Sequence, residues 1–312
     1  MPILALKGET MGTSWSVRCA AGADGDGLRA EIERCLDRVN AEMSGWRAGS
    51  YLCRFNRLPA GGSLRLPTGF RSVLEAALAT AKATAGAFDP TVGPLVDLWG
   101  FGATPTIHEG PPPSTGIAAA LRRVGWRQLE FDSADGGLHQ PGGVALDLSG
   151  IAKGYAVDLV ARALEAAGVN SYLIEVGGEL RGCGVKPDGA PWWVALESPV
   201  AKSAPAYLVA LHDLAIATSG DYRRYFRHGG IQYGHTLDPR SGWPIPPCIA
   251  AVTVLHRHCM QADALATALA VLGLPAGLEH ATRHGIAALI VSRDGAGGCT
   301  DHLSPALAAM LG

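Results

Sequence analysis

"SYLIEVGGELRGCGVKPDGAPWWVALESPVAKSAPAYLVALHDLAIATSG", residues 171–220, carries most of the signal for the fold. Within it "SYLIEVGG", "WWVALES", "AYLVALH" and "LAIATSG" read as strands in quick succession, and "IQYGHTLDP" and "IAAVTVLH" downstream add two more. Upstream, the strand-like "TSWSVRC" gives way to a helical period. "GLRAEIERCLDRVNAEMS" sets Leu28, Ile32, Cys35, Leu36, Val39 and Met43 on one face, with Asp26 as its N-cap. "FRSVLEAALATAKATAG" does the same with Phe70, Val73, Leu74, Ala77 and Ala81, and Gly86 at its C-cap. "GIAAALRRVG" predicts a short helix and "RQLEF" a strand; a third long helix is predicted near 154–167, with Ala156, Leu159, Val160, Ala163 and Leu164 inward. After the strands come helices at 263–272 and 275–284, the strand "AALIVS" and a short C-terminal helix. Helices and strands grouped in runs, rather than alternating, predict an α+β fold over a doubly wound sheet.

Composition narrows the function. The 312 residues are 48% hydrophobic and 17% charged, enough for a substantial core, with a net charge of −2 and no basic run for nucleic acid or a membrane surface. Seven scattered cysteines with no C-x-x-C exclude a disulfide framework and the common zinc spacings. Forty-one glycines, with no G-X-Y period, imply tight turns and close backbone approaches, as in a ligand site lined by main chain. No apolar run approaches a membrane span, and the N-terminus shows no export signal or lipid-accepting cysteine. As written, the chain is expected in the cytoplasm; a periplasmic, membrane-anchored chain whose export signal had been trimmed would look the same.

Two segments interrupt the periodic pattern. "FDPTVGPLVDLWGFG" (88–102) mixes two prolines and three glycines with large apolar residues, which predicts an ordered, buried loop, whereas "GATPTIHEGPPPST" predicts a flexible surface excursion near 103–115. In "ALDLSGIAKGYAVD" (145–158) a strand ends, a Gly-rich turn with a lysine follows, and a helix begins. That is an anion-binding corner, or else an ordinary strand–helix connection with a surface lysine. "QADALATALAVLG" (261–273) puts Asp263 and Thr267 one turn apart on a single helical face. By themselves they read as a helix-start carboxylate favoured by the dipole and a threonine bonded back to the preceding turn.

Taken in order, "TMGTSW", "MSGW…SYLCRFN", "GAFDPTVGPLVDLWGFG", "ALDLSGIAKG", "ATSGDYRRYF", "GHTLDPRSGWP" and "ADALATA" resemble the motif series of the ApbE-like family, the FAD:protein FMN transferases. The likeness runs from about residue 9 to 309, so it implies one domain over residues 1–312. The implied fold is a mixed α+β domain related to the T-fold, with helices packed on a largely antiparallel sheet. The implied activity is Mg²⁺-dependent transfer of FMN from FAD to a Ser or Thr hydroxyl of an acceptor flavoprotein, with release of AMP. Flavin contacts carry over onto Met11, Trp46, Ala87, Phe88, Asp89, Asp147, Lys153 and Leu237. Trp46 could cover a flat ring system or sit in the core. Metal ligands carry over onto Gly150 through its carbonyl, Asp263 and Thr267, with only a main-chain contact left at Ala266, where some relatives have a second carboxylate. His235 matches the catalytic histidine and suits proton removal from a hydroxyl near neutral pH, while Ser219 reads as shaping the pocket. Two other readings keep the fold: an FAD pyrophosphatase yielding FMN and AMP, and a flavin-binding protein without turnover.

Overall fold

A computed structural model describes residues 2–20, 25–103, 110–196, 207–221, 224–294 and 298–311. Among these, eight strands form the main sheet: β1 (Ile3–Thr10), β2 (Thr13–Ala20), β3 (Tyr172–Val176), β4 (Glu179–Cys183), β5 (Leu214–Gly220), β6 (Ile249–His256), β7 (Ala287–Arg293) and β8 (Cys299–Leu303). Their order across the sheet is their order in the chain, and every neighbouring pair is antiparallel. The connections carry the helices. Between β2 and β3 lie α1 (Gly25–Met43), α2 (Tyr51–Asn56), α3 (Thr68–Ala83), α4 (Gly93–Leu98), α5 (Ser114–Leu121) and α6 (Ala152–Ala166). α7 (Cys259–Leu272) and α8 (Ala276–Arg283) link β6 to β7, and α9 (Pro305–Leu311) follows β8. The fold is α+β, as the grouping of elements predicts, and no helix among the described residues is long and apolar enough to cross a membrane.

Both faces of the sheet are covered, which explains why β6 is a continuous apolar run instead of alternating. Val252 and Val254 of β6 pack with Ala262, Ala266 and Leu269 of α7, while Ala251 and Leu255 face the opposite cluster with Trp192, Leu211 and Leu307. The largest core joins β2 and β3, through Trp15, Val17, Tyr172 and Ile174, to α1, α3 and α6. A separate cluster of Leu95, Trp99, Phe101, Ile117, Val124 and Leu237 forms beside the sheet. There the Trp99 ring packs against Phe226, Tyr233 and Trp243, and its Nε1–H donates to the Gly242 carbonyl at 2.8 Å.

Several local expectations are corrected. Trp192–Ala195 with Leu208–Leu211, and Tyr225–His228 with Ile231–Gly234, pair only with each other. The strands read in "WWVALES", "AYLVALH" and "IQYGHTLDP" are therefore present, but as two small hairpins beside the main sheet. "FDPTVGPLVDLWGFG" is buried as expected but contains α4, which Pro94 can start because an early helical position needs no N–H donor. "RQLEF" holds a 3₁₀ turn over Trp126–Gln128 before a short strand, Glu130–Asp132. α2, within a stretch that lacks helical periodicity, is capped by Ser50, whose Oγ accepts from the Cys53 N–H at 3.0 Å. Asp26 lies inside the first turn of α1, not before it. At the end of α3 the left-handed position is taken by Ala85 (φ 51°), and Gly86 follows with its N–H on the Ala81 carbonyl. Of the excursion expected near 103–115, residues 104–109 lie outside the described residues, while the Pro run at 111–113 leads straight into α5 with Pro112 buried and Pro113 at the helix N-cap.

Candidate active site at one end of the sheet

Antiparallel order places two tight turns side by side. β1 and β2 are joined by Met11-Gly12, both with positive φ (52° and 71°), which matches a two-residue hairpin of the kind that suits strand twist. Met11 has no glycine-like freedom, so it holds a strained backbone at this tip. β3 and β4 are joined by Gly177-Gly178, and the Gly177 N–H donates to the Ser14 carbonyl at 3.0 Å. A Cβ at Gly177 would lie 2.8 Å from Thr13 and 3.3 Å from the Lys153 side chain. Glycine here lets both hairpin tips close on the start of α6.

Lys153 is the second residue of α6 and pairs its ammonium with Glu179, the first residue of β4. Burial works against the lysine's charge, but Glu179 and Asp263 outweigh it and hold the ammonium above its usual value. Glu179 is 2% exposed, and its Oε2 is buried without a hydrogen-bond partner among the described residues. Burial, with the charge of Asp263 adding and Lys153 opposing, raises its carboxyl above the ordinary range. No motif singles Glu179 out. The signal available was an acid placed directly after a Gly-Gly turn at a strand start.

α6 and α7 pack antiparallel at backbone contact: a Cβ at Gly154 would collide with the carbonyl of Cys259. That approach lets the Gly154 N–H donate to Asp263 Oδ2 at 3.0 Å. Asp263 is 4% exposed; burial raises its carboxyl, with Lys153 and the Gly154 N–H pulling the other way. It is not a helix-start carboxylate, because α7 begins at Cys259. The buried Asp158 carboxylate accepts from the Cys259 and Met260 N–H groups, at 3.1 and 3.0 Å, and extends the helix four residues upstream. Thr267, one turn beyond Asp263, shares a 3.1 Å hydrogen bond with Ser219 at the end of β5. The Ser149–Ile151 turn passes so close that a Cβ on Gly150 would sit 2.9 Å from Thr267 Oγ1 and 3.4 Å from the Phe88 ring. The space in front of Thr267 exists because residue 150 is glycine. Asp263, Thr267 and the main chain of Gly150 offer hard oxygens, a donor set that fits Mg²⁺, which takes few protein ligands and keeps water or phosphate for the rest. The Ala266 side chain is fully buried, leaving only its main chain to contribute.

The second wall comes from the 87–102 segment and the loop after the Tyr225–Gly234 hairpin. Ala87, Phe88 and Asp89 are all buried. Asp89 is committed to shaping its own loop: Oδ1 accepts from the Thr91 N–H and Oγ1 at 2.8 and 2.6 Å, and Oδ2 from the Trp126 N–H at 3.0 Å. Asp147 is tied to this segment through its N–H, which donates to the Pro90 carbonyl at 2.8 Å, while its Oδ1 accepts from the Ser149 N–H at 2.8 Å. Leu237, 5% exposed, packs with Leu95 and Trp99, so its side chain serves this wall's core. Trp46, by contrast, is 56% exposed on the loop after α1, which rules out the core reading.

His235 continues the hairpin. Its N–H and its Nδ1 both face the Arg224 carbonyl, at 3.1 and 3.2 Å. A carbonyl can only accept, so Nδ1 carries the proton and Nε2 keeps its lone pair. Burial first, then the charges of Arg224 and Lys153, hold the imidazole below its usual value, with the hydrogen bond to the Arg224 carbonyl and the charge of Asp147 opposing. Arg224 also donates to the Phe101 carbonyl at 2.9 Å, and the Phe101 ring stands edge-on to His235 at 6.3 Å. Sequence reasoning named neither residue. The site thus presents an ammonium, a set of hard oxygens and a neutral imidazole. That inventory suits phosphoryl chemistry on a diphosphate.

A model of the ApbE family matches residues 11–290. The FAD:protein FMN transferase of Vibrio cholerae serotype O1 is 39% identical over 291 residues, covering 92% of this chain and 86% of its own. That of Haemophilus influenzae is 36% identical over 304 residues, covering 93% and 87%. Among solved structures, the flavinyl transferase ApbE of Pseudomonas stutzeri in its apo form superposes with a TM-score of 0.92 at 40% identity, covering 100% of this chain and 97% of the other. The ApbE protein of Thermotoga maritima gives 0.88 at 29% identity, covering 100% of both.

Proposed function

Because the chain belongs to the ApbE family, we propose that it is a transferase that moves FMN from FAD onto a Ser or Thr hydroxyl of an acceptor flavoprotein, releasing AMP. The observation that carries this is the closure of the Ser149–Ile151 turn on Thr267, which brings the start of α6, Lys153 and Asp263 to one point. A diphosphate bound there meets the ammonium of Lys153 and the first amides of α6. Asp263, Thr267 and the Gly150 carbonyl would hold Mg²⁺, which when bound neutralises diphosphate charge. The exposed Trp46 ring covers the flavin, and Met11, Ala87, Phe88, Asp89, Asp147 and Leu237 build the walls against which it lies. His235 takes the proton of the acceptor hydroxyl on Nε2 as that oxygen bonds the FMN-side phosphorus. The bridging P–O bond then breaks, and its oxygen leaves with AMP.

The test is incubation of the chain with FAD, Mg²⁺ and a panel of flavoproteins, read by intact mass. An acceptor gaining one FMN, with AMP in equal amount, is expected. Free FMN accumulating at the same rate without acceptor would assign the reaction to water instead.

A further inference from the structure

Lys153 lies between two carboxylates, and the structure shows which one it takes. Its ammonium bonds Glu179, while Asp263 keeps the Gly154 N–H. Glu179 is buried and starts the strand after the Gly177-Gly178 turn, where a Cβ added at Gly177 would come within 3.3 Å of the Lys153 stem. A pair serving stability alone would gain from satisfying both carboxylate oxygens or from apolar replacement. Glu179 does neither, since Oε2 has no partner among the described residues. Lysine also has a flexible four-carbon stem, so without an anchor its charge is spread over many positions. The other carboxylate whose charge acts on it is Asp263, and an ammonium bonded there would occupy an oxygen proposed for a cation.

We propose that Glu179 is a positioning residue: it holds the Lys153 ammonium where a diphosphate meets it and keeps that ammonium off Asp263. The role rests on the flavin-transfer reading for its ligand, the diphosphate of FAD. It acts through Lys153 alone, without touching the reacting atoms.

A double-mutant cycle on FAD affinity tests this, using flavin fluorescence in EDTA so that no metal takes part. Glu179→Gln should weaken FAD about tenfold, the usual worth of a charge-assisted hydrogen bond correctly placed. Lys153→Met should weaken it at least as much, and adding Glu179→Gln to Lys153→Met should change affinity less than about twofold, because a positioning residue has nothing left to position. Glu179→Asp, with its charge on a shorter arm, should recover part of the affinity. The same fold-loss from Glu179→Gln in both backgrounds, or wild-type affinity in Glu179→Gln, overturns the proposal. Should Glu179→Gln fail to fold by circular dichroism, the cycle run with Glu179→Asp decides by the same criterion. A wild-type chain that binds FAD yet labels no acceptor would sink the transfer reading while leaving this cycle interpretable.

Discussion

His235 shows how little a single side chain needs in order to be tuned. Its Nδ1–H is committed to the Arg224 carbonyl, and burial beside cationic Arg224 and Lys153 disfavours the imidazolium. In its proposed role as base the imidazole works unprotonated, so lowering its value extends activity toward acid, and the rate should fall only once the pH drops through a point below the ordinary ~6.5. We expect an acid limb of the kcat profile below that value. A limb lying above it would overturn the tautomer and burial argument. His235→Ala should lose the limb and cut the transfer rate by about 10²–10⁴ while FAD still binds. A variant retaining near wild-type transfer would remove the histidine from the mechanism.

At the scale of elements, the decisive joint is α6 against α7. Gly154 sets their separation, and Asp158 fixes where α7 begins by accepting two of its first N–H groups and the Arg181 guanidinium, the last at 2.7 Å. Asp158→Ala leaves the half-buried Arg181 with only Glu165, at 3.6 Å, and frees two helix-start amides, so urea unfolding should show a loss of about 1–3 kcal/mol, the cost of leaving buried polar groups unsatisfied. Transfer should then require more Mg²⁺, since Asp263 rides on the first turns of the same helix. A loss under about 1 kcal/mol would mean that the helix start is held by other contacts.

Across the whole molecule, the candidate site draws on β1–β2, β3–β4, the 87–102 segment, α6, α7 and the 235–238 loop, from Met11 to Thr267 of the chain. A ligand that bridges them binds only the folded state, so FAD at 100 times its Kd should stabilise the chain by about 2.7 kcal/mol, seen as a rise in Tm. Mg²⁺ should add to that shift in the wild type and add nothing in Asp263→Ala. Equal Mg²⁺-dependent shifts in both would place the cation elsewhere.

What the sequence determined by itself was local and periodic. The helical stripes of α1, α3 and α6, the strand runs after residue 171, and the Asp263–Thr267 spacing all follow from side-chain periods that no tertiary contact can alter. Lys153, Gly150 and His235 were named by the resemblance of the motif series to a known family, since periodicity alone leaves the first an ordinary lysine in a strand–helix turn and the last a lone histidine. What only the tertiary structure decided was which of these meet and in what state. Asp263 became a second-turn residue because a carboxylate from another helix caps α7. The Trp192–Ala195 and Tyr225–His228 strands pair in hairpins of their own beside the main sheet, a choice of partner that strand propensity does not carry. Glu179 is indistinguishable in sequence from any acid at a strand start; it gains its place from burial and from Lys153, contacts made across 26 residues by a hairpin tip closing on a helix start.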